Sequence, residues 1–236
     1  MEVAPLCPDP RVMTKTAFRL LATGSLYLVA AVLANAEDRK IANQHSLTVQ
    51  LLNLAGVKAT ELKKAIAEAS WIFNKAGVNL NWVHCGSEGS DPKEEAACPD
   101  SEDPLVFSLG LVTKAPDFLR DTGMGFALVY SGKRNHAGVL YPRVAALARS
   151  HSSIVGTDQV LAYTMVHEIA HLILGSTAHG ATGIMRANCG TGELKAVSQR
   201  RLLFRSGEIR ALHRKLVERR GGLEIAGATR IPSPLP

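Results

Sequence analysis

The sequence predicts an α+β fold, a single domain in which one apolar helix underlies a twisted mixed β-sheet. Three observations carry that reading. Short stretches of alternating apolar and polar residues, rich in β-branched side chains, recur between residues 46 and 141 and read as strands. A strongly apolar segment, Tyr163 to Leu174, stops at Gly175 as a helix does. Beyond it the pattern changes to helical spacing and ends in a basic amphipathic segment. The order is β-α-β-β-β-β-α-turn-α, without an internal repeat or an interdomain linker. With 236 residues, 46% hydrophobic and 20% charged, the chain is long enough for one sizeable core.

Residues 13–36 read MTKTAFRLLATGSLYLVAAVLANA. Lys15 and Arg19 form a charged leader, Leu20 to Leu33 an apolar run, and Ala34-Asn35-Ala36 a small-x-small cleavage site. This layout predicts a signal peptide cut after Ala36, with Met13 as an alternative start. Residues 1–36 are then extension and signal, and residues 37–236 the domain. The mature protein is expected to be exported, secreted or periplasmic. The apolar run is short for a membrane span and no later stretch is longer, so no stable membrane insertion is expected after cleavage.

From Ser46, SLTVQLLNLAG alternates as a strand. Thr60 is positioned to cap a helix running to Lys75, with Leu62, Ile66, Ala69 and Phe73 on one side and Gly77 as its stop. Val78 to His84 is a second strand, and a Ser-, Glu- and Gly-rich loop follows to Asp103. Pro104 to Thr113 reads as a third strand and Asp117 to Asp121 as a helical turn. Phe126 to Tyr130 and Ala137 to Tyr141 are two further strands, joined by SGKRNH. Pro142 cannot donate to a ladder, which places the strand ending in Tyr141 at the sheet edge. Ala145 to Thr157 reads as a connection and Asp158 as a helix cap. The last helix runs from Ser206 to Arg219, with Ile209, Leu212, Leu216 and Val217 on one face, until Gly221-Gly222 ends it.

The chemistry concentrates in Tyr163 to Met185, YTMVHEIAHLILGSTAHGATGIM. In a helix, His167 and His171 lie one turn apart on one face, where two neutral imidazoles can grip a zinc ion at about 2.0–2.1 Å each. Glu168, beside the first ligand, can reach a zinc-bound water rather than the metal. Such a water has a lowered pKa, the carboxylate can take its proton, and the metal polarises a carbonyl, an arrangement suited to hydrolysis. Gly175 suits a left-handed helix stop, after which His179 can complete a three-His site with the fourth position open to water. Leu172, Ile173 and Leu174 read as core.

At these residues the chain resembles the metzincin clan of zinc metallopeptidases, whose pattern is H-E-x-x-H-x-x-G-x-x-H followed by a methionine turn. His167, Glu168, His171, Gly175, His179 and Met185 match in order and type, with one extra residue on each side of the glycine. Gly183-Ile184-Met185 resembles the methionine turn. The stretch is also similar to small secreted bacterial proteins, which supplies no substrate. The resemblance implies a metzincin-like domain with an active-site helix and a C-terminal helix, and an endopeptidase using Zn²⁺ held by His167, His171 and His179. Glu168 would be its general base and a peptide or protein its substrate, paired with an edge strand, here Gly138 to Tyr141. Met185 would sit beneath the metal without a chemical step. Two alternatives stand beside this. A gluzincin-type site would take its third ligand from Glu193 or Glu208. A non-catalytic exported zinc-binding protein would keep the fold, although such a binder has no evident need of Glu168.

Of the four cysteines, Cys7 precedes the signal. Cys85 is expected to pair with Cys98, closing a loop of about 14 residues for about 3 kcal/mol. Cys189 is then free or paired elsewhere. His45, His84, His136, His151 and His213 read as surface or packing residues, and Tyr141 and Tyr163 receive no role. The net charge is +6, and Lys195 to Arg220 holds nine Lys or Arg against Glu208 and Glu218. That segment reads as a solvated basic helix. No aromatic-interleaved or zinc-finger pattern points to nucleic acid.

Overall fold

Leu47, Val49 and Leu51 alternate along β1 (His45–Asn53) and bury one face of it, and this strand anchors the sheet. The computed structural model describes residues 45–86, 101–117, 123–129, 136–187 and 189–228, with side chains described to residue 221. The predicted signal peptide, the helical turn after Asp117, the SGKRNH link and Cys98 fall outside these residues wholly or in large part. The pairing of Cys85 with Cys98 therefore lies outside them too.

After β1, helix α1 (Ala59–Lys75) crosses back and β2 (Val78–Cys85) pairs parallel to β1. The chain then passes to the other side of β1, where β3 (Val106–Val112) adds in parallel and buries Phe107, Leu109 and Leu111. β5 (His136–Leu140) follows parallel to β3, and β4 (Gly125–Leu128) lies antiparallel to β5. Among the described residues the five-stranded order is β2-β1-β3-β5-β4. This mixed sheet agrees with the predicted class. It also corrects one expectation: the strand ending in Tyr141 is internal, and the edge beside it is β4. A Cβ on Gly138 would come within 2.3 Å of the Phe126 ring, so the glycine gives that ring its seat across the β4–β5 pair.

Pro142 marks a helix start, not a strand end. It occupies the first turn of α2 (Tyr141–Ser150), where a missing N–H costs nothing. Residues 145–150 are therefore helical, not connection. Helix α3 (Thr157–Leu174) is apolar all round, and every residue from Val160 to Ile173 is buried. It packs against β3, β4 and β5 and against the helices α1 and α2. Its cap is Gly156, whose N–H donates to Gln159 Oε1 at 3.1 Å, while Asp158 sits in the first turn. Similarly, α1 starts after Lys58 with no side-chain cap, and Thr60 lies inside the helix.

The C-terminal part holds α4 (Thr191–Ser198), a helix that the sequence pattern does not predict, and α5 (Ser206–Ala228). Helix α5 runs through Gly221-Gly222 where a stop was expected. Leu212 and Leu216 are buried, whereas Val217 is 57% exposed and leaves the predicted apolar face. Arg219 reaches from α5 to the end of α3. Its Nη2 donates to Leu172 O at 2.7 Å, Nε lies 3.4 Å from Ile173 O, and the guanidinium stacks 5.1 Å from the Phe107 ring centroid.

Candidate metal centre

Because α3 is buried from Val160 to Ile173, a polar side chain on that stretch must find a partner inside the protein. His167 and His171 do so through the same ring atom. His167 Nδ1 lies 2.8 Å from Ile184 O, and His171 Nδ1 lies 2.7 Å from Ser176 O. A carbonyl only accepts, so each Nδ1 carries the proton and each Nε2 presents a lone pair. Burial pushes the His167 imidazole down to about 4 and lowers His171, which keeps both rings neutral near pH 7.

The two lone pairs point at each other. His171 Nε2 lies 3.0 Å from His167 Nε2 and 3.3 Å from His179 Nε2. The ligand atoms of the three histidines all fall within 4.8 Å of one another. Facing acceptors at that distance repel unless a proton or a cation lies between them, and the donor protons of His167 and His171 are already committed to carbonyls. Two nitrogens about 2.0–2.1 Å from a tetrahedral ion are roughly 3.3 Å apart. The donor set and its spacing fit a bound metal ion.

The path to His179 explains how its altered spacing is absorbed. Helix α3 completes its last turn at Leu174, and Gly175 takes the left-handed conformation (φ 64°) with its N–H on His171 O at 3.0 Å. The next residue, Ser176, supplies the carbonyl that orients His171. The extra residues thus form a bonded turn that still returns His179 to the site. Beyond it, Gly180 N donates to Met185 O at 2.8 Å, which ties the His179 segment to the turn at Gly183 to Arg186. Gly183 (φ 84°) permits that turn, and Met185 is buried in the core.

Glu168 is buried and lies outside the histidine group. Desolvation raises its carboxyl to about 8. The carboxylate lies against β4: a Cβ on Gly125 would sit 2.6 Å from Glu168 Oε1. Glu193, offered above as an alternative ligand, is engaged elsewhere. Its Oε2 accepts from Gly190 N at 3.0 Å and its Oε1 pairs with Arg186. Glu208 Oε2 accepts from Arg205 N at 2.7 Å, capping α5.

The four predicted site residues therefore occupy one stretch of structure, with three converging and Glu168 beside them. Sequence reading passed over the Ile184 and Ser176 carbonyls, Gly125 and Arg219. Of these only Gly125 carries a hint, as a glycine within a short strand. Cys189 is a free, half-buried thiol whose pKa burial raises to about 11. Among the described residues no helix is long and apolar enough to cross a membrane.

At this level the chain is a mixed α/β protein with a three-histidine group able to hold a metal ion. No family model, curated protein or solved structure matches it.

Proposed function

We propose that the protein is a metzincin-like zinc metallopeptidase, exported by the segment at residues 13–36, that hydrolyses peptide bonds. The observation that carries this reading is the convergence of three imidazole nitrogens beside a buried carboxylate that is not one of their group. His167, His171 and His179 would hold the ion, leaving a fourth position open, as in catalytic zinc sites. A zinc ion there supplies a Lewis acid and lowers the pKa of water. Glu168 would accept the proton of the attacking water and deliver it to the departing amine nitrogen. The mixed sheet, the central helix α3 and the C-terminal helix support the clan-level part of the proposal.

Among the described residues β4 pairs only with β5, so its outer edge offers backbone groups to an extended peptide. Contact of Gly125 with Glu168 brings that edge to the carboxylate, which moves the expected docking strand from β5 to β4. The decisive experiment joins metal content to turnover. The purified protein should retain about one zinc per chain, and Glu168→Ala should keep that zinc while losing roughly 10²–10⁴-fold in peptide hydrolysis. A zinc-loaded Glu168→Ala protein with undiminished hydrolysis would refute the mechanism.

A further inference from the structure

Tyr163 stands one helical turn before His167 on the same face of α3, and both side chains are buried. Its hydroxyl donates to Ile184 O at 3.1 Å. The same oxygen accepts His167 Nδ1 at 2.8 Å. A carbonyl has two lone pairs, and here both are filled from a single helix. The oxygen belongs to the turn at Gly183 to Arg186, whose next carbonyl, Met185 O, accepts from Gly180 beside His179. A rotation of the Ile184 peptide would therefore turn the His167 imidazole and pull on the segment carrying His179.

The geometry points to Tyr163 as a positioning residue for the metal: its hydroxyl pins the Ile184 carbonyl so that His167 presents Nε2 to the ion. This rests on the three-histidine metal site proposed above. The protein has no other hydrogen bond from the Tyr163 hydroxyl among its described residues. Removing that one oxygen leaves the ring to fill the same space, so Tyr163→Phe isolates the contact. Partners one step from a metal ligand govern affinity by about 10–100-fold. Tyr163 is two steps away, and its loss should weaken binding by roughly three- to tenfold.

The test compares wild type and Tyr163→Phe by competition for Zn²⁺ against a chromophoric chelator and by the visible spectrum of Co²⁺-loaded protein. The variant should bind Zn²⁺ more weakly, and its Co²⁺ bands should shift in position or intensity, while circular dichroism stays unchanged. A folded Tyr163→Phe with wild-type Zn²⁺ affinity and an unshifted Co²⁺ spectrum would overturn the assignment. A second measurement needs no variant. Zn²⁺ titrated into the wild type should move the ring resonances of Tyr163 and His167 together, and an unmoved Tyr163 would likewise overturn it. Failure of the wild type to bind Zn²⁺ at all is a different result, because it removes the metal site itself.

Discussion

Replacing Arg219 by alanine should destabilise the protein by about 2–3 kcal/mol, and the structure indicates where that energy resides. The guanidinium is half-buried against the C-terminus of α3, where carbonyl groups lack helical partners and the helix dipole is negative. One contact dominates, the 2.7 Å bond from Nη2 to Leu172 O. A hydrogen bond from a charged donor is worth about 1.5–3 kcal/mol. The bonds to Ile173 O at 3.4 Å and Pro104 O at 3.5 Å are at the limit of the interaction and add little. Stacking on Phe107 adds about 0.5–1 kcal/mol, and the desolvation that lowers the Arg219 pKa takes part of the total back. The assay is urea unfolding of metal-free protein, so that zinc binding does not mask the loss. Arg214→Ala is the control: Arg214 sits on the same helix, but its side chain is 67% exposed and lies 4.0 Å from Glu218. That pair should leave the midpoint where it is. If Arg219→Ala unfolds at the same urea concentration as Arg214→Ala, the capping argument is refuted.

The remaining predictions concern the site. Gly125→Ala should retain zinc yet lose more than about tenfold in hydrolysis, because the new methyl group would meet Glu168 Oε1 at 2.6 Å; unchanged turnover would separate β4 from the carboxylate. In metal-free protein the Glu168 pKa is raised to about 8, so its stabilising contribution is present below the unfolded value near 4.5 and is lost as pH rises through 8. Glu168→Gln should flatten that decline, and stability curves between pH 4.5 and 9 that run parallel in the two proteins would contradict it. His179→Ala should weaken Zn²⁺ binding at least tenfold in a chelator competition, while Glu193→Ala, whose carboxylate serves Gly190 and Arg186, should change it little.

Local chemistry made much of this structure legible. The alternation in SLTVQLLN and VNLNWVH exposes β1 and β2, because each strand covers a core with one face and a less buried surface with the other. The H-E-x-x-H helix and its glycine stop are likewise written in side chains. What stayed hidden depends on partners distant in sequence. Pro142 is compatible with both a strand end and a helix start, and only the fold selects the second. Strand order escaped for a related reason: β5 becomes internal because β4 folds back over it, and nothing in HAGVL records that neighbour. Gly221-Gly222 carries a local helix-breaking signal, yet α5 continues through it. At the site, the histidines could be found because they are ligands by type. The oxygens that orient them belong to Ser176 and Ile184, whose side chains carry no sign of what their backbones do.

The ring of Phe126 over Gly138 acts as a key for alignment. Strand β4 has four residues, too few for its hydrogen bonds alone to choose strongly among neighbouring pairings. Sliding it by one place would set Phe126 against Ala137 or Val139, where a Cβ occupies the seat that glycine leaves empty. The same slide would bring Met124 or Phe126, in place of Gly125, against the Glu168 carboxylate. One aromatic–glycine fit thus settles two questions together: which register the sheet edge adopts, and which residue meets the buried acid.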